Sequence, residues 1–406
     1  MNRSVVLTSR GIGFLVAAVV CFVAAPILSL PALLYVTVLL VGLVVFSTIF
    51  VFGGHSNVRI ERSFSPQVVG PGLTAKATVR VTNLSMIPCL EAQWADVLPS
   101  GISGDASGTL PALGGSRQSD SRVSFSYALQ GLRRGRHPIG PLKVQVLDPF
   151  GLVYRKHSFG AEEPLIVLPR RIDLLALAPR GESDDGATRP APQHVGVGDD
   201  DVIARAYLPG DAMKRLHWKA TAHRGQLMVR QEEQQINPRA GVFLDCEPRS
   251  QGTARDGKGV WEHSPTFEWG IVAAASIVHH LARNGYVVSF QTSSPAIDRE
   301  ISDGQDSVED AMVDLAVLEP DETEHNRYMA PERAAFAILG RLDIPRAEHW
   351  IHAVGGARDV HAFVASGTSA AALDVLDGAR WKVVTYRPND DLAAMWMLFD
   401  AARARA

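Results

Sequence analysis

Three regimes of hydrophobic patterning follow one another along the chain. From Gly11 to Gly54 there is no Asp, Glu, Lys or Arg, and the run divides at Ser29-Leu30-Pro31 into apolar stretches 12–30 and 32–52. A bilayer core of about 30 Å is crossed by roughly 20 apolar residues in a helix. Pro31 suits a first helical turn, where its missing N–H would have no partner anyway. The pattern predicts a two-helix membrane hairpin, and a cleaved leader is disfavoured because a second full-length apolar segment follows at once. Between 58 and 168 the text changes to period-two alternation, as in Ala75-Lys76-Ala77-Thr78-Val79-Arg80-Val81 and Ser121-Arg122-Val123-Ser124-Phe125-Ser126-Tyr127. Such runs are half-buried strands. Gly70-Pro71-Gly72, Asn83-Leu84-Ser85 and Gly114-Gly115-Ser116 punctuate them in the manner of an antiparallel sandwich. From 240 onward strand and helix patterns alternate: strand 240–244, helix 267–283, strand 286–290, helix 331–339, strand 350–354, helix 363–377, strand 381–386 and helix 391–403. That alternation predicts a mostly parallel sheet with helices on both faces. The expected division is a hairpin at 1–56, an all-β sandwich-like domain at 57–180, a polar Pro/Gly-rich linker at 181–199, a distinct segment at 200–239 and an α/β domain at 240–406.

Composition narrows the function classes. With 406 residues and a formal net charge of -3, the chain can bury more than one core and has no global basic field for nucleic acid. Three cysteines without a CxxC spacing argue against a disulfide framework or a zinc site. Arg3 and Arg10 precede the hairpin, Arg59 and Arg62 follow it, and the connection between its helices is uncharged. Positive-inside bias therefore places both termini and the soluble bulk in the cytoplasm, with the chain a two-pass protein of the cell membrane. The cluster Arg133-Arg134-Gly135-Arg136-His137 reads as a solvated hairpin edge kept from aggregating by its charges, with anionic lipid headgroups as the alternative.

The segment Asp200-Asp201-Val202-Ile203-Ala204-Arg205-Ala206-Tyr207-Leu208-Pro209-Gly210-Asp211, continued by Arg215-Leu216-His217-Trp218-Lys219 and His223-Arg224-Gly225, is the densest in chemistry. It predicts strand, turn, short helix, strand. Pro209-Gly210 presets the turn, Asp211 caps the helix and Gly225 stops it. Arg205, Tyr207, Asp211, Arg215, His217, Trp218 and Arg224 are the candidate residues, as a structural hub of ion pairs and packing or as a partner-binding site. A catalytic use would pair Asp211 with His217 as orienter and base. No serine or cysteine sits in a GxSxG context to serve as nucleophile, so the chain reads as a non-enzyme, with a membrane-bound hydrolase as the alternative. The string Gly252-Thr253-Ala254-Arg255-Asp256-Gly257-Lys258-Gly259 imitates a phosphate loop but has glycine where Mg²⁺ needs Ser or Thr. We expect no nucleotide there and no cofactor elsewhere.

The string Arg-x-Tyr-x-Pro-Gly-Asp, Arg-x-His-Trp-Lys-Ala and Arg-Gly-x-Leu over 205–227 resembles the bacterial and archaeal proteins catalogued as domain of unknown function fifty-eight. Gly131-Leu132-Arg133-Arg134-Gly135-Arg136-His137, Leu147-Asp148-Pro149-Phe150-Gly151-Leu152 and the N-terminal hairpin are similar to that family too. The resemblance implies a β domain followed by a von Willebrand factor A-like domain. It also implies a role beside a MoxR-type AAA+ ATPase in assembling or maturing a client protein complex, and no known enzymatic activity. Metal-binding A-domains carry Asp-x-Ser-x-Ser after their first strand, to give Mg²⁺ its oxygen ligands. Here that loop is Asp245-Cys246-Glu247-Pro248-Arg249, so the site reads as degenerate, Asp245 as a strand-end anchor, and a metal-dependent adhesion module as the disfavoured alternative. The combined reading is a membrane-anchored adaptor or scaffold.

Overall fold

The computed structural model describes residues 4–53, 57–175, 204–207, 216, 218–230, 238–257, 259–293, 297–302, 305–322, 334–354 and 357–403. The linker expected at 181–199 lies outside them. Strand β1 (Ser4–Leu7) leads into helices α1 (Ser9–Ile27) and α2 (Ala32–Gly53). Both helices are long and apolar enough to cross a membrane, and they pack on each other while leaving most of their large apolar side chains exposed, Val19, Phe22, Val38 and Ile49 among them. Pro26 lies one residue from the end of α1, where the chain is already leaving the helix.

An antiparallel sandwich follows, built from β2 (Val58–Ser65), β3 (Val68–Val69), β4 (Thr74–Asn83), β5 (Ala92–Asp96), β6 (Ile102–Ser103), β7 (Ser107–Leu110), β8 (Arg122–Gly131), β9 (Gly135–Ile139), β10 (Leu142–Leu147), β11 (Val153–Phe159) and β12 (Glu163–Val167). One sheet runs β2-β4-β8-β6, a second β1-β11-β10-β5-β7, and a small third β3-β12-β9. Alternation does the work expected of it in β4: Ala75, Ala77, Val79 and Val81 are fully buried while Lys76 and Arg80 face out. Each such valine contributes roughly 1.5–3 kcal/mol by leaving water. Trp94 stacks on Phe125 across the sandwich at 4.2 Å between ring centres.

The hairpin is tied to this sandwich at several points. β1 pairs antiparallel with β11, Ser4 opposite Lys156 through Leu7 opposite Val153, so the segments before α1 and after α2 lie on one side of whatever the hairpin enters. The Thr8 hydroxyl donates to the Gly151 carbonyl at 2.7 Å. A side chain at Gly11 would bring a Cβ within 2.3 Å of the Leu152 carbonyl oxygen, so only glycine lets the first turn of α1 approach that loop. Asp148 organises the loop itself, its carboxylate accepting from the backbone N–H groups of Leu152 and Val153 at 2.7 Å and of Phe150 at 3.0 Å. Burial alone would raise this carboxyl, but the N–H donors outweigh it and hold it below the ordinary value.

Strands β13 (Ala204–Ala206) and β14 (Met228–Arg230) pair antiparallel and flank helix α3 (Trp218–Arg224). The remainder is an α/β unit: β15 (Arg239–Leu244), α4 (Pro248–Gln251), α5 (Pro265–Arg283), β16 (Val287–Thr292), β17 (Asp298–Ile301), α6 (Gln305–Val317), β18 (Ala334–Leu339), α7 (Ile344–Val354), β19 (Asp359–Ala365), α8 (Ala370–Gly378), β20 (Lys382–Tyr386) and α9 (Leu392–Arg403). Its sheet runs β17-β16-β15-β18-β19-β20, parallel except for the edge strand β17. This is the mostly parallel α/β sheet expected from the sequence, covered by α5, α6 and α9 on one face and α7 and α8 on the other.

Three element assignments inside this unit are corrected. Residues 331–339 were expected as helix; Ala334–Leu339 is a strand, because an Ala-rich run buried on both faces satisfies a central parallel strand as well as its propensity satisfies a helix. Residues 350–354 were expected as strand and are the last turns of α7, whose inward residues Ala347, Trp350 and Val354 recur at helical spacing. The expected helix 363–377 is two elements, β19 and then α8, divided by Gly367 with φ +95 and by the Ser369 cap.

Candidate functional site

The segment singled out by its motif splits into a buried and an exposed side. Leu216 bridges to Val229, and Leu216, Met228 and Val229 are buried. Gly225, with φ +70, closes α3, while the Thr221 hydroxyl accepts from the Met228 N–H at 2.9 Å and sets the turn into β14. Arg205 stands in β13 opposite Val229, and the Tyr207 N–H donates to the Leu227 carbonyl at 2.8 Å with the residue half-buried. Trp218 opens α3 and is 69% exposed, and Arg224 at its other end is exposed as well. The indole thus takes no part in a buried packing hub; its apolar face is presented to solvent. Asp211, Arg215 and His217 lie outside the described residues, and with them the proposed His-Asp pairing.

The second candidate lies at the carboxyl edge of the sheet between β15 and β18, where the strand order reverses and ligands of such folds sit. Asp245 directly follows β15 there and is fully buried. One carboxylate oxygen accepts from the Ser250 hydroxyl at 2.6 Å and from the Gly340 N–H at 3.2 Å. The other accepts from the Glu247 N–H at 3.1 Å and faces the Arg346 guanidinium at 3.3 Å. Arg346 also ion-pairs with Glu247. Burial pushes the Asp245 carboxyl up, against the opposing pull of Arg346 and the Ser250 hydroxyl. A divalent ion needs the oxygens that Ser250, Gly340 and Arg346 already use, so the residues present do not fit the A-domain metal. Among the described residues no other grouping of His, Cys, Asp and Glu has metal-holding geometry. Asp245 anchors the strand end, with Arg346 as its cation. Arg346→Ala should cost about 2 kcal/mol, the removal of a mostly buried partner discounted for its exposure, and millimolar Mg²⁺ should leave wild-type thermal stability unchanged. A stabilisation by Mg²⁺ that Asp245→Ala abolishes would contradict this assignment.

A third site was missed. Arg134, taken from the sequence as part of a charged hairpin edge, leaves the sandwich and enters the α/β unit. Its guanidinium forms a bidentate pair with Glu268 at 2.8 and 2.9 Å and donates to the carbonyls of Leu315, Ala316 and Leu318 at 2.9, 3.1 and 2.9 Å, with Phe267 beneath it. Its neighbours Arg133 and Arg136 are exposed. Nothing local distinguishes the three arginines, since the partners stand more than 130 residues away in sequence.

Comparison with known proteins places the segment. The uncharacterized protein YeaD of Bacillus subtilis strain 168 is 26% identical over 163 residues, 40% of this chain and 37% of that protein, so the similarity spans well under half of either. Among solved structures, the CARDB domain of PF1109 from Pyrococcus furiosus aligns over 26% of this chain and 89% of its own, at 18% identity and a TM-score of 0.19. The GAE domain of GGA2p from Saccharomyces cerevisiae aligns over 28% and 96%, at 16% identity and 0.20. Scores that low carry no functional argument. The family model described as protein of unknown function DUF58 matches 203–337, from the exposed tryptophan segment through the Asp245 turn to β18. Those residues of the chain are a DUF58 family domain.

Proposed function

We propose that the chain is a membrane-anchored, non-enzymatic adaptor that works with a MoxR-type AAA+ ATPase in assembling or maturing a client protein complex. The hairpin crosses the cell membrane twice, and both termini and the soluble units face the cytoplasm. The observation that carries the adaptor reading is Trp218: a large aromatic side chain 69% exposed, on a short helix whose neighbours Leu216, Met228 and Val229 supply the packing. Exposed tryptophans on a fixed scaffold are the residues on which partner affinity concentrates. The sandwich is held to the hairpin by β1 and Asp148 and to the α/β unit by Arg134. The ATPase and its client come from the resemblance of the 205–227 string, and the cytoplasmic side from the arginines that flank the hairpin.

The test is affinity purification of tagged full-length protein from native membranes after mild crosslinking, wild type beside Trp218→Ala. The substitution is at the surface and should leave the fold intact. An AAA+ ATPase and a consistent client should accompany the wild type and fall by about tenfold or more with the variant, the loss expected of a hot-spot aromatic. Equal recovery with both chains would remove Trp218 as the contact, and no specific protein with either would remove the adaptor reading.

A further inference from the structure

The turn between β10 and β11, Leu147-Asp148-Pro149-Phe150-Gly151-Leu152, takes no part in presenting Trp218. It lies instead well along the hairpin. Leu152 and Val153 pack in one cluster with Val44 of α2 and with Phe14 in the second turn of α1, and the Phe150 ring meets Phe46 edge-on at 6.3 Å between centres. At about 1.5 Å per residue α1 is roughly 28 Å long, so it needs nearly its whole length to cross a hydrocarbon core of about 30 Å. Phe46 stands about 10 Å before the end of α2 at Gly53 by the same rise. A turn packed at these levels is carried to the plane where α1 enters the bilayer, or below it.

What the turn exposes there is apolar. Leu147 and Phe150 each leave 47% of their surface exposed, and Pro149 is exposed between them. Its backbone donors are all used within the chain. Pro149 has no N–H, those of Phe150 and Leu152 go to the Asp148 carboxylate, that of Gly151 to the Asp148 carbonyl and that of Asp148 to the Val153 carbonyl. The Gly151 and Leu152 carbonyls accept from the Thr8 hydroxyl. Backbone out of reach of water has to be satisfied in this way; a turn in solvent does not.

The outer face of the sheet continues the gradient. Val6, Tyr154 and Leu147 stand opposite one another across β1, β11 and β10 and so share a face. Farther from the hairpin that face carries Lys156, whose ammonium lies over the Tyr154 ring at 5.3 Å, and then Lys143. From Leu147 to Lys143 is roughly 13 Å at strand rise. Apolar, aromatic and cationic side chains thus follow one another in the order of acyl boundary, interface and phosphate layer. Arg10, exposed in the first turn of α1, has the length to reach phosphates from the lower level.

We propose that the turn 147–152 is a further membrane contact, with Phe150 and Leu147 inserted into the acyl boundary of the leaflet on the side of the sandwich. This rests on the hairpin being in a membrane. The contact sets which face of the sandwich lies on the bilayer.

The experiment uses the full chain in nanodiscs, with an environment-sensitive fluorophore on one introduced cysteine in a Cys21→Ala/Cys89→Ala background; Cys246 is fully buried. Phe150→Cys and Leu147→Cys are compared with Val19→Cys on the hairpin and Leu132→Cys between β8 and β9, both at exposed positions. Quenchers are phospholipid carrying a nitroxide on its acyl chain and aqueous iodide. Probes at 150 and 147 should be quenched several-fold more by the nitroxide lipid than the probe at 132, and several-fold less by iodide. If they behave as the probe at 132 while the probe at 19 is quenched by lipid, the turn is outside the bilayer and the proposal fails with anchoring intact. If the probe at 19 is also reached by iodide and not by lipid, the anchoring reading fails and the proposal with it.

Discussion

Asp96→Ala should cost about 3–5 kcal/mol, the cost of breaking a buried ion pair by removing one partner, and so a large part of the 5–15 kcal/mol typical of a domain. Arg62 and Asp96 meet inside the sandwich with side chains 1% and 0% exposed. The contact is bidentate, at 2.7 and 3.0 Å, and the remaining guanidinium donor reaches the carbonyls of Ile139 and Ala161 at 3.0 and 3.1 Å. The Tyr127 hydroxyl donates to the same carboxylate. Burial, and then this acceptor, push the phenol above its ordinary value. Alanine at 96 leaves a buried cation without a counter-charge and a buried hydroxyl without an acceptor. Removing both charges, as Arg62→Met with Asp96→Leu, should cost less than Asp96→Ala alone, because no unpaired charge is then left inside. Denaturant unfolding followed by the fluorescence of Trp94, 5.6 Å from the Tyr127 ring, measures both. A single variant within about 1 kcal/mol of wild type would show that water reaches the pair.

The same residues mark the limit of what the sequence discloses. Arg62 entered the positive-inside argument as a flanking cation, yet in the folded chain it is buried against Asp96 and adds nothing to the surface charge. Its alternation was legible, because β2 carries period two, but the partner 34 residues on was not. The hairpin and the long strands β4 and β8 were readable for a local reason: their side chains meet one environment along a whole face. β18 and β19 were misread for the opposite reason, since strands buried on both sides carry no alternation and Ala-rich runs serve helix and strand alike; α7 was misread because 350–354 alone is too short to show the helical spacing of Ala347, Trp350 and Val354. The sheet's class survived those errors because the alternation of strand and helix, rather than the number or position of the elements, sets it. At the edge of that sheet Asp245 was legible as a strand-end anchor, but the guanidinium that faces it comes from Arg346, 101 residues on. Cys246 is fully buried with its thiol pushed up by burial, then by the Asp245 charge, so a cysteine that reports topology by labelling belongs on an exposed position such as Leu132.

Arg134→Ala should loosen the contact between the sandwich and the α/β unit without unfolding either. The side chain is 10% exposed and Glu268 34%, so the ion pair is partly screened. We assign the whole contact about 2–3 kcal/mol, the range for hydrogen bonds to a charged group with a discount for the exposed partner. The geometry makes the loss directional. Leu315, Ala316 and Leu318 end α6, where backbone carbonyls have no helical donor and carry the negative end of the helix dipole. Glu268 sits in the first turn of α5, at the positive end. One guanidinium therefore closes two helix termini at once, which the single ammonium of lysine cannot do with the same planar fork. Arg134→Lys should recover less than half of the lost stability. Hydrogen exchange reads the effect at its source: protection should fall at the end of α6 and at the start of α5 in Arg134→Ala, while the core of β15 and of β4 stays protected. Arg133→Ala and Arg136→Ala, at exposed neighbours, should change stability by no more than about 0.5 kcal/mol. If Arg134→Ala exchanges like those two, the units are held by something other than this arginine.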